Sequence, residues 1–254
     1  GSATVASANQ FGVVRLNSDG TLDTSLGEIS SVSSEFCFYA ENGAPVALDA
    51  AVTIFDEELS ALDGGAGNFE GASVTLSRSG GANASDLFSG LAPLTLSGAS
   101  GNAVLSGVVI GTFTNTAGTL AITFNAEATQ ARVNSALSSF GYANSSDAPA
   151  SSVQISYTFN DGNATSQGAG GARFAVSQKT VNIQSSNDGP TGSVTLDGNA
   201  LVGQTLTADA STLGDADGLG ALHFTWLRDG ATFGAADAPT HVLTDADLQA
   251  TISV

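Results

Sequence analysis

The sequence predicts an all-β chain made of antiparallel β-sandwich modules in tandem, and three observations point to this fold class. Short stretches rich in Val, Thr, Ile and Phe alternate in polarity between clusters of Gly, Asn, Asp and Ser, which is typical of strands joined by turns. Hydrophobic residues make up 42% of the chain and charged residues only 12%, so the chain is expected to fold. A length of 254 residues gives two modules room for a core each.

The first module is predicted over residues 31–188. Its alternating segments are expected to form strands at about residues 46–55, 72–78, 104–114 (interrupted by Gly107 and Gly111), 119–125, 153–159 and 174–183. Residues 125–140 break the alternation, because Val133, Leu137 and Phe140 recur at helical spacing after Asn125, a suitable N-cap residue. We interpret this segment as one short helix that crosses between strands and covers the core.

A polar run with Gly and Pro at residues 185–190 predicts the module boundary. Residues 189–254 are then a second module, with strands expected near residues 193–196, 204–208, 222–227 and 241–243. A module of roughly 65 residues is shorter than the ~100 of an immunoglobulin-like sandwich. We therefore expect this module to be partial and to present an unpaired strand edge.

The charge of the chain narrows the class of partner. The sequence has 24 acidic and six basic residues, a formal net charge of −18, and its only lysine is Lys179. Nucleic acid is a poor partner because binding it requires neutralising phosphates with Lys and Arg, and anionic membrane surfaces are disfavoured for the same reason. No run of about 18 apolar residues predicts a membrane helix. Cations are the natural counterpart, although an acidic surface also serves solubility alone.

Calcium is the cation that the side chains favour. The single cysteine, Cys37, permits no disulfide within the chain and excludes sites built on several thiolates. Bound calcium takes six to eight oxygen ligands and can stabilise a fold in place of disulfides where carboxylates are plentiful.

Carboxylates and amides are concentrated at the predicted ends of the modules. In a sandwich with an odd number of strands, the first and last strands end at the same pole, so the side chains there converge. The residues predicted to form this calcium site are Asp56, Glu58, Asn187, Asp188, Asp215 and Asp217. Glu41 is expected at the opposite pole, unless the first strand is kinked. The alternative is that such residues serve turns and caps, and Asp161 also fits a hairpin turn.

Catalytic signals are weak. His223 and His241 fall in predicted strands, without HExxH spacing, and the chain has no G-x-S-x-G motif, so we expect structural or surface histidines. A pair of carboxylates for glycoside hydrolysis needs only proximity in space. One tryptophan and three tyrosines leave little for sugar stacking, and Trp226 is expected to fill a sandwich core.

Several motifs of the first module resemble the cadherin-like repeats of giant bacterial adhesins of the RTX type. They are FYAEN at residues 38–42, DEEL at 56–59, ASVTL at 72–76, YANSSD at 142–147, FNDG at 159–162 and Asn187-Asp188. The resemblance implies that calcium is held between neighbouring modules by an early Glu, an Asp-x-Glu and a terminal Asn-Asp. These map onto Glu41, Asp56 with Glu58, and Asn187 with Asp188, and Glu58 departs from the more frequent aspartate.

Two further segments resemble modules of surface proteins. Residues 192–254 resemble an immunoglobulin-like adhesin repeat through VGQTLT at 202–207, DADGLG at 215–220 and TWLRDG at 225–230. Within residues 1–30, VRLNSDGTLDTS at 14–25 looks like one delta-sixty repeat of bacterial surface proteins.

These features together predict a non-enzymatic extender region of a large adhesin, secreted to the bacterial surface and stiffened by calcium at its module junctions. Its partners would be the neighbouring modules of the same chain. One alternative is a module that itself binds a host or surface glycan or protein. Another is an accessory domain of a secreted glycosidase, which requires two carboxylates about 5 to 9 Å apart in a cleft.

Overall fold

The computed structural model describes residues 28–31, 37–163 and 172–254. The chain divides into two compact units, Gly1–Ser185 and Ser186–Val254. Strands hold 43% of the described residues, so the prediction of a mostly β chain is confirmed.

The first unit contains thirteen strands and two helices among its described residues. They are β1 (Glu28–Ser31), β2 (Cys37–Ala40), β3 (Val46–Ala47), β4 (Val52–Phe55), α1 (Glu57–Gly65), β5 (Ser73–Arg78), β6 (Asp86–Gly90), β7 (Leu94–Thr95), β8 (Ser100–Leu105), β9 (Val108–Thr116), β10 (Thr119–Phe124), α2 (Gln130–Leu137), β11 (Phe140–Asn144), β12 (Ser152–Asn160) and β13 (Phe174–Gln184).

The main sheet of this unit has eight strands in the order β2-β13-β12-β5-β10-β9-β8-β7 and curls into a half-barrel. Its pairs are antiparallel except for β2, which runs parallel to β13 at the edge. Smaller antiparallel sheets pair β3-β11-β6 and β1-β4. Alternate residues of the strands point into one core, as in β12, where Val153, Ile155, Tyr157 and Phe159 are buried, because successive side chains point to opposite faces.

The strands predicted at residues 72–78, 119–125, 153–159 and 174–183 are present as β5, β10, β12 and β13. Two other predictions of single strands are wrong. The segment at 104–114 reverses direction at Ser106 and Gly107, both with positive φ, and forms the β8–β9 hairpin. The segment at 46–55 is interrupted after β3, where the Asp49 carboxylate accepts a hydrogen bond from the Ala51 N–H (3.0 Å).

The predicted crossover helix is α2, but Thr129, not Asn125, is its N-cap. The helix packs along β4 and bonds to the backbone of that strand. Asn134 Oδ1 accepts from the Ile54 N–H (2.9 Å), and Ser138 Oγ donates to the Val52 carbonyl (3.0 Å). These bonds satisfy backbone groups that a neighbouring strand would otherwise take.

A second helix, α1, was not predicted. Asp56 is its N-cap and accepts from the backbone N–H groups of Glu58 (3.1 Å) and Leu59 (2.9 Å), and Leu59 is buried in the core. The helical dihedrals fail at Leu62–Gly64, where Asp63 and Gly64 have positive φ.

The second unit contains β14 (Thr195–Asp197), β15 (Thr205–Asp209), β16 (Trp226–Arg228), β17 (Ala231–Phe233), β18 (Thr240–Val242), a 3₁₀ turn (Asp245–Asp247) and β19 (Ile252–Ser253). The strands form two three-stranded antiparallel sheets, β14-β15-β18 and β17-β16-β19.

The core of the second unit is small. Its buried apolar side chains are those of Leu206, Ala208, Trp226 and Leu243. Trp226 is 1% exposed and donates from Nε1 to the Ala238 carbonyl (2.7 Å), so the prediction that it fills a core is confirmed. His223, in contrast, lies outside the strands, because the segment predicted at 222–227 is extended only from Trp226.

No helix among the described residues of either unit has both the length and the apolarity that crossing a membrane requires.

Candidate functional site

Two carboxylates approach each other where β2 and β13 end. Glu41 follows β2 directly, and its backbone N–H donates to the carbonyl of Gln184 at the end of β13 (2.9 Å). Asp147 lies in the connection between β11 and β12, and one of its carboxylate oxygens is within 4.8 Å of one of Glu41. Glu41 is 7% exposed and Asp147 is exposed. Two like charges at this distance repel each other unless a proton or a cation lies between them.

The position of Glu41 differs from the prediction. It was expected at the pole opposite the end of the last strand, but β2 runs parallel to β13 and ends beside it, with Ala40 opposite Gln184. Parallel neighbours finish at the same edge of a sheet. Glu41 therefore lies at the pole where the last strand of the first unit ends.

A buried polar network holds the loop that carries Asp147. The Asn144 carbonyl accepts from the Tyr39 hydroxyl (3.1 Å), and the Asn144 side chain donates to Asp86 Oδ1 (3.1 Å) and accepts from the Ser146 N–H (2.9 Å). The start of the loop is thus fixed to β2 and β6. These hydrogen bonds position Asp147 near Glu41 without a covalent cross-link.

Asp86 is the centre of that network. It is 1% exposed, and Arg78 binds it from Nε (2.8 Å) and Nη2 (2.7 Å). The Tyr142 hydroxyl donates to the same carboxylate (2.7 Å), and burial followed by the hydrogen bond and charge of Asp86 raises the pKa of Tyr142 well above its ordinary value. A buried carboxylate requires such partners, because an uncompensated charge in the core is costly.

Asp56 and Glu58, which were predicted as calcium ligands, form the N-terminus of α1. Asp56 is 2% exposed, and its pKa is raised chiefly by burial, with further contributions from the charges of Asp161 and Glu57. Among the described residues, Asp56 and Glu58 belong to no group of three acidic, His or Cys side chains whose ligand atoms lie within 4.8 Å of one another. The capping alternative is therefore the one that the contacts of Asp56 support.

Asp161 lies near Asp56 and is also buried. Its Oδ1 accepts from the backbone N–H groups of Asn163 (3.0 Å) and Arg173 (2.8 Å). The interpretation of residues 160–163 as a tight hairpin turn is wrong, because β12 ends at Asn160 and β13 begins only at Phe174. Asp161 instead fixes the two ends of a long connection.

The remaining predicted ligands come together in the second unit. The Asp217 carboxylate accepts from the Asp188 N–H (2.8 Å), the Asp215 carboxylate accepts from the Asp217 N–H (2.9 Å), and the Asn187 side chain donates to the Asp188 carbonyl (2.8 Å). The bond between Asp188 and Asp217 joins two segments that lie 29 residues apart in the chain. The role of these four residues as calcium ligands stays a prediction.

Asp147 was not among the predicted site residues, although it ends the YANSSD segment at residues 142–147 that carried the family resemblance. Nothing in its local sequence separates it from a solvated loop aspartate. Only its distance from Glu41 makes it a candidate site residue.

A cleft of about 470 Å³ opens in the second unit. It is lined mainly by aliphatic side chains, and its one carboxylate is that of Asp247. Arg228 (Nε, 2.8 Å), His241 (Nε2, 3.1 Å) and the Thr244 N–H (2.8 Å) contact that carboxylate. The pKa of Asp247 is lowered, first by the backbone hydrogen bond from Thr244, so the group acts as a fixed anion that holds β16, β18 and the 3₁₀ turn together.

The two histidines have the structural or surface positions that were expected. His223 is exposed and bonds to Asp237 (3.0 Å). His241 packs against Trp226 and Phe233, with ring centroids 5.5 and 4.8 Å away.

Comparison with known proteins gives one family match, to a domain of unknown function (DUF5122) beta-propeller over residues 1–26. These residues, and the predicted delta-sixty repeat within them, lie outside the described part of the chain. No curated protein matches the chain, and no solved structure does. The match covers about a tenth of the sequence.

Proposed function

We propose that the chain is a non-enzymatic, calcium-binding extender region of a large adhesin on the bacterial cell surface. In this proposal the first unit is a cadherin-like sandwich and the second is a partial immunoglobulin-like sandwich. The observation that carries the proposal is the Glu41–Asp147 carboxylate pair beside the end of the last strand of the first unit.

Calcium suits this pair for chemical reasons. The two side chains offer up to four carboxylate oxygens, and calcium accepts six to eight oxygen ligands in flexible geometry. No cysteine or histidine belongs to the group that contains Glu41 and Asp147, which disfavours zinc and other softer metals that prefer sulfur and nitrogen. A divalent cation would also offset the repulsion between the two carboxylates.

We propose Asp188 as the third carboxylate of the site and Asn187 as an additional oxygen donor. Asp188 is four residues beyond Gln184 along the chain, and Gln184 is bonded to the backbone of Glu41. In this proposal, calcium at the module junction restricts the linker between the modules.

The exposed side chains favour an extender over a sugar-binding module. All three tyrosines and the only tryptophan are buried, whereas stacking on sugars requires exposed aromatic faces. The exposed aromatic residues among those described are Phe38, Phe55 and Phe174, which lie on or beside three different strands and offer no hydroxyl or indole N–H.

The accessory-glycosidase alternative has less support. Hydrolysis of a glycoside needs two carboxylates facing each other in a cleft. The 470 Å³ cleft of the second unit has a single carboxylate in its lining, and that group is committed to Arg228 and His241.

Isothermal titration with calcium, combined with small-angle X-ray scattering in calcium and in chelator, tests the proposal. We expect saturable binding, a narrower range of overall dimensions in calcium, and loss of both effects in Asp188→Asn. Asp197→Asn is the matched control, because Asp197 lies at the end of β14 outside the proposed site. Absence of binding, or scattering that ignores calcium, would refute the proposal.

A further inference from the structure

The only lysine of the chain is buried against an aspartate in the first unit. Lys179 Nζ lies 3.2 Å from Asp49 Oδ2, with the two side chains 11% and 1% exposed. Lys179 is on β13, opposite Ile155 of β12, and directly opposed residues point to the same face. Because Ile155 is buried in the core, the lysine also points inward.

Asp49 is held by its other oxygen. Its Oδ1 accepts from the Ala51 N–H at 3.0 Å, so the two oxygens of one carboxyl group are bonded to two different donors. The carboxyl carbon is thereby fixed beside the lysine nitrogen. The reacting atoms of an amide-forming attack are Nζ and Cγ, and Cγ is one bond from the Oδ2 that lies 3.2 Å from Nζ; such a close, fixed approach favours the attack.

The surroundings of the pair are largely apolar. Tyr157 is two residues from Ile155 on the same face of β12, and Cys37 is opposite Val181, two residues from Lys179; both are buried. The Tyr157 hydroxyl has no hydrogen-bond partner within the described part of the chain, and burial, followed by the charge of Asp49, raises the pKa of Tyr157. That hydroxyl therefore stays protonated.

We propose that Lys179 and Asp49 form an intramolecular amide cross-link. A proton moves from the Nζ ammonium to Oδ2, and the uncharged amine attacks Cγ. Negative charge develops on Oδ1, where the Ala51 N–H stabilises it, as backbone donors do in acyl transfer. Nζ then gives a second proton to Oδ2, the Cγ–Oδ2 bond breaks and one water molecule leaves. The reaction requires no oxidant, reductant or co-reactant.

The cross-link removes the cost of keeping two separate charges in the core, since an amide is neutral whereas a buried ion pair must offset the desolvation of both ions. It also joins the segment between β3 and β4 to the last strand of the unit. Such a closure constrains the unfolded chain as a disulfide does, in a sequence whose single cysteine permits none. This inference is independent of the proposed calcium site.

The test is the intact mass of the purified chain, measured after denaturation, which breaks an ion pair but not an amide. We expect a mass lower than that of the sequence by one water molecule, and the full sequence mass for Lys179→Arg and for Asp49→Ala. Trypsin should leave Lys179 uncleaved and release a branched peptide that joins residues 16–78 to residues 174–228.

Two results would overturn the proposal. The full sequence mass in the wild-type chain means that the pair is an ion pair only. A deficit of one water that persists in Lys179→Arg means dehydration elsewhere, such as a succinimide at one of the Asp-Gly bonds. The wild-type measurement decides the first question even if either variant fails to fold.

Discussion

Replacing Glu41 by Gln removes one charge from the Glu41–Asp147 pair and keeps the size of the side chain and an acceptor oxygen. The expected effect on the stability of the first unit has opposite signs with and without calcium. In chelator the variant loses the repulsion from the Asp147 carboxylate, so we expect it to be more stable than the wild type. In calcium it loses a ligand, so we expect it to be less stable.

The size of the repulsion follows from the geometry. One carboxylate oxygen of each residue lies within 4.8 Å of the other, and two unit charges at that limit interact by about 3.5 kcal/mol at an effective dielectric constant of ~20 and by about 0.9 kcal/mol in bulk water. Because Asp147 is exposed, solvent screens the pair, so we expect a gain of about 1 kcal/mol in chelator. For a unit of this size, each kcal/mol shifts the Tm by about 2 to 4 °C.

The opposing term is the stabilisation by bound calcium. At a free concentration of 100 times the Kd, binding to the folded state adds about 2.7 kcal/mol, and the Glu41→Gln variant should lose most of it. Differential scanning calorimetry in calcium and in chelator measures both effects. Glu70→Gln is the matched control, because Glu70 is an exposed glutamate of the same unit.

A variant that is less stable than the wild type in chelator, with an unchanged calcium shift, would contradict this reasoning. It would mean that the Glu41 carboxylate stabilises the unit through its own contacts and is not a calcium ligand.

Three further outcomes concern single groups. Asp56→Ala should destabilise the first unit by about 1 kcal/mol through the lost N-cap. Because the pKa of Asp56 is raised in the folded state, the folded wild type takes up this proton more readily than the unfolded chain and should gain stability as the pH falls from neutral through that pKa. Asp56→Asn should lose this gain in urea titrations at several pH values. Tyr142→Phe removes a hydrogen bond to the buried Asp86 carboxylate and should cost about 1.5 to 3 kcal/mol, measured by chemical unfolding. The lowered pKa of Asp247 contributes stability that is present above the ordinary pKa of ~3.9 and is lost as the pH falls below that value. Asp247→Asn should therefore lower the unfolding midpoint of the second unit at pH 7 and make its stability depend less on acid pH. An unchanged midpoint would mean that the ion pair between Arg228 and Asp247 does not stabilise the unit.

Local patterns predicted the long regular strands of the first unit. The alternation in β5, β10, β12 and β13 was visible because each strand has one face in the core, which imposes a period of two. The pattern failed where a reversal lies inside an apolar run. Ser106-Gly107 turns the chain between β8 and β9, and the two flanking segments look like one strand because both bury residues in the same core.

Helix α1 could have been predicted from local sequence. Asp56 is a good N-cap residue, and two acidic residues follow it in the first turn, where negative charge is stabilising. These carboxylates were assigned to a calcium site because Asp and Glu occur both in loops that bind calcium and at the N-termini of helices, and composition alone does not separate the two cases. The backbone hydrogen bonds to Asp56 support the capping interpretation, and the role of Asp56 and Glu58 as calcium ligands stays a prediction.

The sequence by itself determined the mostly β character of the chain, the burial of Trp226, the acidic surface and the absence of an internal disulfide, because each follows from composition or from short-range periodicity. Only the tertiary structure decided that β2 runs parallel to β13, that Glu41 therefore approaches Asp147, and that the single lysine faces Asp49. These pairs join residues about 100 or more positions apart in the chain. Strand order and direction set such contacts, and strand order depends on the packing of the whole unit rather than on any local segment.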